Sequence, residues 1–203
     1  MGTNPNGFPR RIDPGNVASY TWEYGGECRD VTGNGKTGTL FGASTSGGVL
    51  TLDGINDYAR FPAFGVAPLS LGFSAWIKPD TILTPDFARY IWFGNKDTSI
   101  DGPYWLRIVG NGKLDYGYRN SADNGYVTVV TDSIVLTQSQ WQHIAISHGA
   151  GGAFDFYVNG VAVASTVTSG SLTDSTSGTE VLPRLGRWID NVSTRYFDGQ
   201  IGE

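Results

Sequence analysis

Residues 141–163 read WQHIAISHGAGGAFDFYVNGVAV, and the periodicity of this stretch decides the fold. Gln140–Ser147 is predicted as a strand, with Trp141 and His143 two residues apart and therefore on one face. Ala153–Val158 sets Phe154, Phe156 and Val158 against Asp155 and Tyr157, the period-two alternation of a half-buried strand. Asn159-Gly160 follows, and an Asn-Gly step accepts the positive φ angles that a tight hairpin needs. The chain is then expected to return as a strand over Val161–Val167.

The same logic extends outward in both directions. Gly72–Pro79 alternates Phe73, Ala75 and Ile77 with Ser74, Trp76 and Lys78. Tyr104–Val109 and Lys113–Tyr118 flank Gly110-Asn111-Gly112, a second hairpin signal. Short β-like runs are also predicted at Val17–Tyr24, Gly48–Asp53, Asp57–Phe61, Tyr90–Phe93, Val181–Trp188 and Arg195–Ile201. Asp53-Gly54 and Asn56-Asp57 are turn dipeptides between two such runs, so their first role is structural. Ser165–Glu180, rich in Ser, Thr and Gly, is expected as an exposed loop. No helical period of ten residues emerges. A dozen or so short strands at this spacing predict an all-β fold, an antiparallel two-sheet sandwich of the jelly-roll type. Met1–Asn16 holds three prolines and three glycines without periodicity and is read as an irregular arm ahead of one domain over 17–203.

Composition narrows the function. Of 203 residues, 29 are glycine, about twice the usual share of about 7%, as many tight turns require. Aromatic residues make up 13% and hydrophobic ones 39%, enough to fill a core and to exclude disorder. The net charge of −5 argues against a phosphate-binding surface, so no nucleic-acid partner is expected. No stretch approaches 18 consecutive apolar residues, and no membrane insertion is expected. The first residues, MGTNPNGFPRRID, lack the apolar core of a signal peptide. Cys28 is the single cysteine, which excludes an internal disulfide and a Cys-based zinc cage and suits a small half-buried residue.

Seven blocks, in order, resemble the laminin-G-like domains of the concanavalin A-like lectin and glucanase superfamily. They are RDVTGNGKTGTLFG (29–42), LTLDGINDYARFP (50–62), GFSAWIKPD (72–80), WQHIAIS (141–147), FYVNGVAV (156–163), LGR (185–187) and FDGQIGE (197–203). The resemblance implies the same sandwich over nearly the whole folded part. It also implies a structural calcium ion fastening the early loop to the last strand, with Asp30 and Asn34 as ligands beside the backbone of Gly33–Gly35. Calcium takes six to eight oxygens and suits such a loop. The alternative is that Asp30 and Asn34 only cap turns. Where the family commonly ends in Ile-Asp-Glu, this chain has Ile201-Gly202-Glu203, which removes one carboxylate.

Enzyme chemistry finds little foothold. Glycan-cleaving members of the superfamily carry Glu-x-Asp-x-x-Glu, and none of Glu23, Glu27, Glu180 and Glu203 stands in that arrangement. Glu23 and Glu27, four apart on a strand, lie over 10 Å apart at ~3.3 Å per residue, whereas a retaining pair needs about 5 Å. An Asp–Asp pair assembled by folding stays open. His143 and His148 supply no HExxH spacing, and no G-x-S-x-G elbow is present. Gly33–Gly38 (GNGKTG) is too short for a phosphate loop. No catalytic residue is assigned.

A glycan site requires a flat aromatic beside amides, carboxylates or arginine. Two clusters offer this: Tyr116, Tyr118, Arg119 and Asn120, followed by Asp123, Asn124 and Tyr126; and Arg187, Trp188, Asp190 and Asn191. Trp76 and Trp141, each mid-strand, are expected in the core. The resulting expectation is a non-catalytic recognition module for a glycan or glycoprotein surface, outside the cell or on a virion. The alternative is an assembly module contacting other subunits, with the arm ordering against a neighbour. A glycan-active enzyme is the third reading.

Overall fold

The computed structural model describes residues 18–22, 27–65, 70–82, 89–95, 104–119, 125–172, 182–188 and 195–202. Seventeen strands lie among them: β1 (Tyr20–Thr21), β2 (Arg29–Asp30), β3 (Thr39–Phe41), β4 (Ser44–Ser46), β5 (Val49–Asp53), β6 (Tyr58–Arg60), β7 (Leu71–Pro79), β8 (Arg89–Asn95), β9 (Tyr104–Val109), β10 (Lys113–Arg119), β11 (Tyr126–Thr131), β12 (Gln142–His148), β13 (Phe154–Val158), β14 (Val161–Val163), β15 (Ser165–Ser169), β16 (Leu182–Leu185) and β17 (Asp198–Gly202). One 3-10 turn, Ala150–Gly152, sits between β12 and β13. The expected N-terminal arm lies outside the described residues.

Two antiparallel sheets face each other. The larger has eight strands in the order β15-β11-β10-β9-β8-β16-β6-β3, and the smaller has seven in the order β14-β13-β12-β7-β17-β5-β4. The shortest of the chain's changes of sheet run through Gly42-Ala43, between β3 and β4, and through Ala164, between β14 and β15. The jelly-roll sandwich predicted from strand spacing is the observed architecture. The turns behave as their residues dictate: Asn111 (φ 65) and Asn159 (φ 51) with Gly160 (φ 78) take the left-handed region, the cheapest way to join two right-twisted strands. The Asp53–Asp57 turn is held by Asp53 Oδ1, which accepts from the N–H groups of Ile55, Asn56 and Asp57 at 2.8, 3.1 and 3.2 Å.

The core follows strand alternation. Leu50, Leu52, Ile77, Ile144, Ile146, Phe156 and Ile201 point inward from the seven-stranded sheet. Trp92, Tyr104, Leu106, Ile108, Leu114, Tyr116, Tyr118, Val127 and Val129 meet them from the eight-stranded one. Burying each such side chain is worth about 1.5–3 kcal/mol relative to exposure. At one end, His148 is 1% exposed among the rings of Tyr104, Tyr116, Tyr118 and Phe154, and its Nδ1 meets the Tyr116 hydroxyl at 3.1 Å. Cys28 is fully buried rather than half-buried, and burial pushes its thiol up, away from the reactive thiolate.

Three expectations change. Ser165–Ser169 is strand β15, paired with β11, because alternating Ser and Thr with Val167 still satisfies a sheet edge; 173–180 lie outside the described residues. Tyr126–Thr131 is a further strand, with Val127, Val129 and Thr131 inward. Trp76 and Trp141 are not core residues: they are 42% and 40% exposed. The reason was present in the pattern, since Trp76 alternates with Ser74 and Lys78, opposite Ala75 and Ile77.

Candidate functional site

The sandwich presents two outer faces, and aromatic residues gather on both. On the seven-stranded sheet, Trp76 stands between His143 of β12 and Gly202 of β17, its register partners on either side. The Trp76 and His143 rings meet edge to face, centroids 5.4 Å apart. Trp141 precedes Gln142, which registers with Ile77, so it stands opposite Lys78. Its six-membered ring reaches over Gly202: a Cβ at that position would lie 3.4 Å from the Trp76 Cβ and 3.5 Å from Trp141 Cζ3. Glycine there leaves a flat strip of backbone between two indoles. Around them Ser74, Lys78, Gln200 and Thr51 point outward by strand alternation, and Lys78 Nζ donates to Gln200 Oε1 at 3.5 Å. His143 was expected on the Trp141 face, and it is half-buried there.

The eight-stranded sheet arranges its outer aromatics differently. Trp105 lies flat on Gly117, where a Cβ would fall 1.8 Å from the indole. Its Nε1 donates to Asp115 Oδ1 at 3.0 Å. Arg107 donates to Asp115 Oδ2 at 2.9 Å and to the Tyr90 hydroxyl at 2.8 Å. Its guanidinium stands 5.6 Å from the Tyr90 ring and 5.8 Å from Trp105. Burial alone would lower the Arg107 pKa, but Asp115 and Tyr90 hold it above the ordinary value. Burial likewise pushes the Tyr90 phenol up, only partly offset by Arg107. Trp188 lies tilted against Tyr90, ring centroids 4.5 Å apart, with Arg195 5.5 Å from the Trp188 ring. Arg187 covers Tyr58 at 4.4 Å and Tyr196 at 5.4 Å, and its Nε donates to the Trp188 carbonyl at 2.7 Å.

The residues expected at a ligand site divide accordingly. Tyr116 and Tyr118 are fully buried, so neither offers a ring face to a sugar. With Leu114 inward, period two sends both of them into the core and Asp115, Gly117 and Arg119 outward. Arg119 pairs across the sheet with Tyr126, whose ring lies 5.4 Å from Trp105. Arg187 and Trp188 join this face through Tyr58 and Tyr90. Thus Arg119, Arg187 and Trp188 share one sheet, apart from the two tyrosines. Asn120 and Asp190 lie outside the described residues, as do Asp123, Asn124 and Asn191. The network of Tyr90, Trp105, Arg107 and Asp115 was missed in the sequence, where four residues on three strands carry no common spacing.

The Asp30 loop, the expected calcium site, is closed on itself. Asp30 is 8% exposed, and both carboxylate oxygens are engaged. Oδ1 accepts from Thr32 Oγ1 at 2.7 Å, Thr32 N at 3.0 Å and Ser19 N at 3.4 Å; Oδ2 accepts from Lys36 N at 3.0 Å. Burial raises its pKa, but these bonds outweigh it and hold the carboxyl below its ordinary value. The Asn34 N–H donates to Thr32 Oγ1 at 3.2 Å. Among the described residues, no three His, Cys, Asp or Glu side chains converge as a metal site. This donor set fits a self-closed turn rather than a six- to eight-oxygen cage.

Comparison with known proteins follows this geometry. A laminin G-type family model described as the concanavalin A-like lectin/glucanases superfamily matches residues 53–203. No curated protein matches by sequence. Among solved structures, the receptor-binding domain of botulinum neurotoxin C/D mosaic serotype is similar at 16% identity and TM-score 0.63, over 92% of this chain and 47% of that one. The serotype D binding domain is similar at 14% identity and TM-score 0.66, over 92% and 46%. The serotype D ligand-binding domain in complex with N-acetylneuraminic acid gives 14% and 0.64, over 86% and 43%. The chain spans less than half the length of each, and at these identities the likeness concerns the fold. With the family model matching most of the chain and the two-sheet sandwich agreeing with it, the protein belongs to the concanavalin A-like lectin/glucanase superfamily.

Proposed function

We propose that the protein is a non-catalytic glycan-recognition module that stacks a sugar on the Trp76–Trp141 platform. The observation that carries this reading is the pair of indoles, 42% and 40% exposed on the outer face of one sheet. An indole left about two-fifths exposed keeps apolar surface unburied, and the CH face of a pyranose covers such surface without dehydrating the hydroxyls at its rim. Lys78, Gln200, Ser74 and His143 surround the platform with donors and acceptors for those hydroxyls. The reading assigns calcium no part and needs no general acid or base. It fits a protein that meets glycans or glycoproteins outside the cell or on a particle surface.

A glycan-array screen of the whole chain, with calcium and with EDTA, tests it. Selective binding is expected in both conditions. Trp76→Ala and Trp141→Ala should each weaken the best hit about tenfold, the worth of one aromatic contact at about 1.4 kcal/mol. Trp188→Ala should leave it unchanged. A blank array overturns the reading in favour of protein assembly. Loss in Trp188→Ala with Trp76→Ala unaffected moves the site to the other sheet.

A further inference from the structure

We propose that the cleft between β3 and β6 is a second recognition site, which takes the carboxylate of an acidic sugar. The cleft holds about 330 Å³ and is lined by Thr37, Thr39, Arg60, Phe61, Pro62 and Leu182. Arg60 supplies the charge. Its guanidinium is steadied 5.4 Å from the Phe41 ring, which is itself stacked on Tyr58 at 4.5 Å. Arg60 is exposed toward solvent, so its planar fork is available to match a carboxylate.

The neighbourhood is unusually cationic for an acidic chain. Arg60 registers directly with Thr39 on one side and Arg184 on the other. Of the ten arginines in a chain of net charge −5, Arg60, Arg107, Arg119 and Arg184 alternate outward on this same sheet, and Arg187 and Arg195 stack at its rim. Asp30 is turned into its own loop by the four bonds described above. Thr37 Oγ1 accepts the Asp30 N–H at 3.2 Å, which leaves its hydroxyl proton for a ligand oxygen. Pro62 and Leu182 form an apolar edge suited to a ring's CH face, with the buried Phe61 beneath them. A carboxylate joined to a sugar ring matches both halves of this lining; a neutral sugar matches only one.

That the ligand is a sugar rests on the recognition reading; the charge requirement rests on the cleft. The test is two-dimensional amide NMR of the whole chain titrated with methyl glucuronide, methyl glucoside and sodium sulfate. Methyl glucuronide should shift the amides of Thr37, Thr39, Arg60 and Leu182. Arg60→Gln should weaken that binding about tenfold or more, the usual worth of a charge-assisted bond, with the melting temperature retained. Methyl glucoside should leave these amides in place. Equal response to glucoside, or an unchanged affinity in Arg60→Gln, overturns the proposal. Sulfate binding as tightly as glucuronide overturns its sugar component. Glucuronide shifts that respond to Trp76→Ala and not to Arg60→Gln overturn this cleft while sustaining the platform. Arg60-dependent binding with a blank array does the reverse.

Discussion

The two outer faces of the sandwich use the same residues to opposite ends. On the eight-stranded sheet, Trp105 is 7% exposed and Tyr90 3%, clamped by Arg107, Asp115 and Trp188. On the seven-stranded sheet, Trp76 and Trp141 stand 42% and 40% exposed over a glycine. In one case every polar edge of the aromatics has a partner on the neighbouring strand. In the other the polar residues ring the indoles and leave much of their surface to solvent. The first arrangement is how a sheet gains stability on its outer side, and the second is how it keeps surface free for a ligand. A tryptophan on a strand is therefore diagnostic only together with what its neighbours do.

Substitutions can separate the two faces. The largest effect is expected for Gly117→Val, whose side chain must displace the Trp105 indole. A loss of about 3 kcal/mol and a fall of roughly 6–12 °C in melting temperature should be seen by calorimetry; a shift within about 2 °C would show that the indole is not pinned there. Asp115→Ala comes next. It strands the Arg107 guanidinium and the Trp105 N–H together, and about 2–3 kcal/mol should be lost in urea unfolding. Asp115→Asn should lose less, because one acceptor for Trp105 remains.

Asp30→Ala should remove about 1–2 kcal/mol by opening its turn, equally with 1 mM calcium or 1 mM EDTA. A carboxyl held below its ordinary pKa stabilises the fold above the unfolded value of about 4. That contribution is lost as pH falls through the depressed native pKa, so variant and parent should converge in acid. A gap that opens only with calcium would show that the loop holds the metal. The smallest change in stability belongs to Trp76→Ala and Trp141→Ala, each within about 1 kcal/mol because much of the ring already faces water. The comparison is sharpened by iodide quenching: these two variants should lose most of the quenchable emission, and Trp105→Phe almost none.

Much of this was legible beforehand, and the failures are instructive. The hairpins at Asn111 and Asn159, the inward set of β7 and the jelly-roll class followed from turn chemistry and period two. The same period already set Trp76 beside Ser74 and Lys78, so its expected place in the core rested on residue type against pattern. Tyr116 and Tyr118 failed in the opposite sense. They were valued for nearby Arg119 and Asn120, although spacing by two from Leu114 sent both rings inward. The Asp30 loop was recognisable as a turn, but its four donors come from Ser19, Thr32 and Lys36, which only the folded loop brings to one carboxylate.

By itself, the sequence determined most of the strands, the Asn-Gly turns and which side chains share a face, because these are properties of neighbouring backbone units; β11 and β15 were settled by their sheet partners. Only the tertiary structure decided what covers each face. Strand order set Trp105 over Gly117 and Arg107 beside Asp115, and left Trp76 and Trp141 with a glycine between them. Such contacts join residues from eight to over a hundred positions apart, and no local period encodes them. The division between a face that holds the fold together and one free to meet a ligand is made there.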